Sequence, residues 1–187
     1  MKHTYALGLS AALVLAAAAT TTAFAPASGL HPAMHRPADH PAHHSAGHRR
    51  QYCAVVVDKA PNRHSASRVV SRTCAENPAD PGLRSAAADN TLLVTLWENA
   101  GYGGEQTSLY GRQGPCDSSG YRFEDLTDAN DQVNGISSYR LYSACNRSDI
   151  FTGTEFSGNG STILYGDQVY VGAQWNDSIG SMGIWHD

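Results

Sequence analysis

The chain has 187 residues, of which 41% are hydrophobic and 16% charged, with 18 Gly, 8 Pro and 4 Cys. That length holds one or two domains with a hydrophobic core, and the low charged fraction suits turn-rich β-structure better than charged helices. A formal net charge of only −4 excludes a general polyanion binder.

Residues 1–25 read as a secretory signal. Lys2 supplies the positive start, Ala6 to Ala19 the apolar run, and Ala23-Phe24-Ala25 a small-x-small cleavage site. The run is shorter than a membrane span, and no other stretch approaches ~18 apolar residues. Export makes disulfides available to Cys53, Cys74, Cys116 and Cys145. Residues 26–50 hold Pro, Ala and six of the nine histidines (His31, His35, His40, His43, His44 and His48) and little aliphatic bulk, so the segment reads as disordered. A solvated linker is favoured over a transition-metal tract, because no regular ligand spacing fixes a geometry. In acid it becomes strongly cationic.

Residues 51–74 read as a β-hairpin extension. Cys53-Ala54-Val55-Val56-Val57 and Val69-Val70 are β-branched runs on either side of a polar turn region, Asp58 to Ser67. Four cysteines allow three connectivities, and proximity favours Cys53 with Cys74. Residues 75–89, with Pro78, Pro81, Gly82 and an Ala-rich tail, read as a linker.

Residues 90–187 form the main domain. Twelve acids against four arginines leave it at a formal −8, so the acidity of the chain sits here. No helical period is sustained. Short strand candidates recur instead: Leu92 to Glu98, Gln106 to Tyr110, Ile136 to Tyr142, Asp149 to Phe151, Ser161 to Tyr165, Val169 to Val171 and Ser181 to Trp185. Many short strands separated by turn residues predict an all-β sandwich or barrel.

The domain repeats itself. Trp97-Glu98-Asn99-Ala100-Gly101-Tyr102-Gly103-Gly104 and Phe151-Thr152-Gly153-Thr154-Glu155-Phe156-Ser157-Gly158 share one pattern: aromatic, four residues, aromatic, one residue, Gly. A folded hairpin brings two such rings together, and the Gly accepts a positive φ. Each copy then reaches a polar signature, Asn130-Asp131-Gln132-Val133-Asn134-Gly135-Ile136 or Asn176-Asp177-Ser178-Ile179-Gly180-Ser181-Met182. With both motifs in two copies, residues 91–186 resemble the βγ-crystallin superfamily, especially its secreted microbial members. The resemblance implies two four-stranded Greek keys, about 91–144 and 145–187, packed as a sandwich behind the disulfide-closed hairpin. It also places Cys116 in the first motif's long loop and Cys145 between the motifs, and so pairs them.

The resemblance implies calcium as the cofactor, bound at the polar signatures. Asn130, Asp131, Asn176 and Asp177 open them, and Asp131 and Asp177 would supply carboxylates. Gln132 and Ser178 would supply carbonyls, as would the hairpins around Gly104 and Gly158. The fifth position of each signature usually lends a hydroxyl to the neighbouring site. Here those positions are Asn134, which keeps an amide oxygen, and Gly180, which has no side chain. One serviceable site is expected rather than two, and Gly180→Ser is expected to tighten binding.

Catalytic signatures are absent. The domain's only histidine is His186, and no Gly-x-Ser-x-Gly, His-Glu-x-x-His or phosphate-cradling loop occurs. The expectation is a secreted, monomeric, non-enzymatic calcium-binding protein with a structural or stress role, with no nucleic-acid partner and no membrane span of its own. The alternative implied by the resemblance is an inhibitor of a secreted metalloproteinase, or a killer-toxin-like module, meeting a protease or cell-surface component. Its candidate loops are Gly111 to Tyr121 and Lys59 to Arg72.

Overall fold

The computed structural model describes residues 51–127 and 135–187. The leader, the His-rich segment and Asn130, Asp131, Gln132 and Asn134 lie outside the described residues.

The β-branched run at the start becomes β1 (Tyr52–Val57), which turns back as β2 (Val69–Ala75). Cys53 and Cys74 face each other across this antiparallel pair and form a disulfide, with Cα atoms 4.1 Å apart. The hairpin is no appendage. β1 runs parallel to β4 (Gly103–Gly111), from Tyr52 beside Gln106 to Val57 beside Gly111. It thereby enters a five-stranded sheet of order β2-β1-β4-β3-β6, where β3 is Thr91–Asn99 and β6 is Ser138–Leu141. A strand buried on both faces should read as an unbroken apolar run, and Cys53 to Val57 is one, each residue buried. Val55 and Val57 enter the inter-sheet core.

The segment expected as a linker contains a helix, α1 (Pro81–Ala88). Asp80 caps it by accepting from the Gly82 amide at 2.7 Å, and Pro81 occupies the first turn, where a missing N–H costs nothing. The helix shares surface clefts with Ala54 and Val56 on the outer side of β1.

The second sheet has the order β5-β9-β7-β8, with β5 at Tyr121–Phe123, β7 at Arg147–Phe151, β8 at Leu164–Tyr165 and β9 at Ser181–Trp185. The third strand of the first copy, β5, therefore pairs with the second copy's β9. Reciprocally, Gln168 of the second copy bridges Tyr139 on β6. This exchange makes two Greek keys into one sandwich. The core between the sheets holds Leu96, Leu109 and Tyr139 from one side and Phe123, Ile150, Met182 and Ile184 from the other. Tyr139, wholly buried, shares a hydrogen bond of 2.7 Å with Ser148 Oγ across the interior. Burial pushes its phenol well above the ordinary value.

Two strand expectations change. Val169 to Val171 is not a strand; its backbone instead bonds singly to Gly101 and Ser137. Tyr121–Phe123 is a strand outside the expected set. Cys116 and Cys145 are bonded, fastening the long loop of the first copy to the turn between the copies.

Candidate metal site

Each copy builds the same aromatic hairpin. The Trp97 and Tyr102 rings lie 5.1 Å apart, and those of Phe151 and Phe156 lie 5.8 Å apart, edge to face. Tyr102 and Phe156 themselves adopt positive φ (64° and 57°), as do Gly104 and Gly158 (84° and 76°). A Cβ at Gly104 would lie 2.5 Å from Glu98 Oε2, and one at Gly158 2.5 Å from Thr152 Oγ1, so glycine is required at both for space as well as φ.

A serine locks each hairpin. Ser138 Oγ donates to the Asn99 carbonyl (2.6 Å) and accepts from the Tyr102 amide (3.1 Å). Ser181 Oγ donates to the Gly153 carbonyl (2.6 Å) and accepts from the Phe156 amide (3.0 Å). The strand register agrees: Trp97 pairs with Ser138, and Phe151 with Ser181. Ser138 and Ser181 are thus equivalent, which shifts the first signature three residues along the chain. Its fifth position is Ser137 rather than Asn134, and Asn134 rather than Asp131 matches Asp177. The Asn-Asp dipeptide at 130–131 matched by composition; the stronger signal was Ile136-Ser137-Ser138 against Ile179-Gly180-Ser181.

With the register corrected, the two copies meet at Asp177. This residue takes positive φ (57°), and its Oδ1 accepts from Ser137 Oγ of the other copy at 3.0 Å. Its Oδ2 accepts from Asn176 Nδ2 at 2.6 Å. Gly135 lies so close that a Cβ there would come 2.4 Å from Asp177 Cα. Ser178 Oγ donates to the Asn176 carbonyl. Gly180 has no room for a side chain: a Cβ would sit 2.7 Å from Gly153 C and 2.9 Å from its carbonyl oxygen. Gly180→Ser therefore collides with the second hairpin, and the expectation that it tightens binding is withdrawn. Among the described residues, no three His, Cys, Asp or Glu side chains converge as a metal cluster. One carboxylate, a hydroxyl from the other copy and nearby carbonyls form an oxygen set suited to a hard cation and unsuited to a soft one.

The two candidate inhibitor loops are bound to each other. Lys59 reaches Asp117 Oδ2 (2.7 Å) and the Pro115 carbonyl (3.3 Å), and its amide donates to Gln113 Oε1 (2.7 Å). Asp58 collects Gln113 (3.0 Å), Arg112 (3.3 Å) and Arg68. The Lys59 hydrogen bond, followed by those from Ser119, holds the Asp117 carboxyl far below its usual range. A depressed carboxylate stabilises the folded chain above its unfolded pKa, near 3.9, and that contribution is lost as pH falls through the folded value. Lys59→Met is expected to cost roughly 0.2–1 kcal/mol near neutral pH, since the pair is partly solvated. Melting curves from about pH 7 to about pH 2 check this: the gap between parent and variant should narrow below about pH 4, and a gap constant with pH refutes it.

No family model matches the chain, and no curated protein does. Among solved structures, it is similar to a βγ-crystallin domain from Clostridium beijerinckii at 23% identity, covering 50% of this chain and 97% of that one, with a TM-score of 0.38. A βγ-crystallin domain from Flavobacterium johnsoniae matches at 17% identity over 51% of this chain and 96% of that one, with a TM-score of 0.38. The N-terminal domain of protein S matches at 17% identity over 50% of this chain and 96% of that one, also with a TM-score of 0.38. The strand exchange, the paired rings and the two equivalent serines make this architecture βγ-crystallin-like.

Proposed function

We propose that the protein is a secreted, non-enzymatic βγ-crystallin-like module that binds one calcium ion with modest affinity and serves a structural or stress role. The observation carrying this reading is the Ser137–Asp177 contact, which joins a hydroxyl of one copy to the carboxylate of the other. Calcium takes six to eight oxygens, so carbonyls and water must complete the shell. With a single carboxylate, an affinity near 10⁻⁴ M, on the scale of extracellular modules, is expected. The counterpart site would rest on Asn134 and the bare Gly180 and is depleted. Two disulfides fit export, and no helix among the described residues is long and apolar enough to cross a membrane.

Calorimetry on the full chain should give one calcium per molecule. At a hundredfold excess over Kd, calcium should stabilise the fold by roughly 2.7 kcal/mol relative to chelator. Asp177→Asn should abolish the effect, and Ser137→Ala should weaken it. Identical melts in calcium and chelator would sink the reading.

A second reading, a peptidase inhibitor of the same fold, is favoured by the mutual bracing of the 58–68 and 111–120 loops, with Cys116 anchored to Cys145. An assay against secreted metallo- and serine proteases separates the two. Micromolar inhibition supports the second reading, and prompt cleavage within either loop removes it.

A further inference from the structure

A concave site lies on the outer face of the second sheet. Its floor is a row across three strands. Gly183 on β9 pairs with Arg122 on β5 on one side and with Asp149 on β7 on the other. Glycine weakens the middle of a buried strand and commonly marks a close approach. Here a Cβ at Gly183 would lie 2.3 Å from Asp149 Oδ1 and 3.1 Å from Arg122 Nη1. Bare backbone in the central strand lets two opposite charges converge over it.

They converge without closing. Arg122 Nη1 and Asp149 Oδ2 stand 3.9 Å apart, the side chains retaining 18% and 22% of their exposure. Arg122 Nε and Asp149 Oδ1 are buried with no hydrogen-bond partner among the described residues. The guanidinium is held by stacking at 3.8 Å over the Phe156 ring. Two desolvated, incompletely satisfied charges at the base of a pocket are costly for stability alone.

The hairpin supplies a wall. Its loop crosses to β5, where the Ser67 amide donates to the Arg122 carbonyl (2.7 Å) and Ser67 Oγ accepts from the Arg122 amide (3.0 Å). Arg63 Nε donates to the Ser118 carbonyl. This brings Arg63 and His64 to one side of a cavity of about 330 Å³, with Trp185 and the half-exposed Ile163 also lining it.

We propose that this pocket binds a neutral sugar ring through a vicinal diol. Each hydroxyl both donates and accepts, so adjacent hydroxyls can donate hydrogen bonds to Asp149 and accept them from Arg122. The C–H face of the ring packs on Trp185. At the floor the carboxylate disfavours an anion and the guanidinium beside it disfavours a cation, while the Arg63 guanidinium on the wall is engaged with the Ser118 carbonyl. The diol matches both.

The test uses the full chain, titrated with D-mannose, D-glucose and D-galactose. Cyclohexanol serves as a ring without a diol, and inorganic phosphate and D-glucuronate as anions. Ligand-observed NMR and tryptophan fluorescence read binding, in calcium and in chelator. At least one hexose should bind saturably in both buffers, and cyclohexanol should not. Asp149→Asn should weaken that binding about tenfold or more. Trp185→Ala, which leaves the charge pair intact, provides an independent loss should Asp149→Asn misfold. The proposal is overturned if no hexose binds, if only phosphate or glucuronate binds, if cyclohexanol binds as well as the hexoses, or if folded forms of both variants bind like the parent.

Discussion

Residues 90–187 expressed alone, without the hairpin and helix, should not show the cooperative melt of the longer chain. β1 is inserted beside β4, and removing it strips Val55 and Val57 from the inter-sheet core while leaving β4 as a bare edge. Full burial of a valine is worth roughly 1.5–3 kcal/mol, so Val55, Val56 and Val57 together stand at about 5–9 kcal/mol. A typical domain has only about 5–15 kcal/mol to lose. Deletion also removes the Cys53–Cys74 closure, a term of order 3 kcal/mol in the chain-entropy account. The entropy of ordering the hairpin is recovered, which offsets part of this loss. The expected result is a fragment that binds a hydrophobic dye and lacks near-UV dichroism. A fragment melting within a few degrees of the full chain would show that the sandwich is complete without β1. For this reason the calcium measurement belongs on the full chain.

What the sequence disclosed follows the range of the interactions involved. The aromatic hairpins were legible because their paired rings and glycine lie within eight residues, from Trp97 to Gly104 and from Phe151 to Gly158. The run Cys53 to Val57 announced a strand, but not that its second partner would be β4, some fifty residues away and parallel. Its unbroken apolar run, without polar alternation, was the available clue to a strand covered on both faces. α1 carries a local signature in Asp80-Pro81 and the alanines that follow, but Pro78, Pro81 and Gly82 mark a linker equally well. β5 is three residues long, too short for an alternation of two buried rings around Arg122 to stand out. The register error at the first signature had a different cause. Asn-Asp is a frequent loop dipeptide, whereas the equivalence that matters is set by which serine reaches back to the hairpin carbonyl. That contact spans 39 residues in the first copy and 28 in the second. The sugar pocket was illegible, since Arg122, Asp149 and Gly183 come together only through strand pairing.

Ser138→Ala and Ser181→Ala should each destabilise the fold by roughly 2–4 kcal/mol, because each leaves a carbonyl and an amide unpaired next to the core. Both hydroxyls are fully buried, and no water can take their place without opening the hairpin. The hairpins also hold non-glycine residues at positive φ, Tyr102 in one and Glu155 and Phe156 in the other, each disfavoured by roughly 1–2 kcal/mol. The amides of Tyr102 and Phe156 are the ones the serines accept from, so each serine fastens the residue whose backbone most needs restraint. Ser178→Ala, at an exposed position, is the control and should cost under about 0.5 kcal/mol. Chemical denaturation in chelator measures all three without a metal contribution. Ser138→Ala matching Ser181→Ala would fix the register on energetic grounds. A cost for Ser138→Ala no greater than that of Ser178→Ala would break the equivalence and, with it, the assignment of Ser137 to the Asp177 site. Ser138 directly follows Ser137, whose hydroxyl meets Asp177, so Ser138→Ala also reaches the metal site: calcium stabilisation should fall in that variant although it removes no ligand.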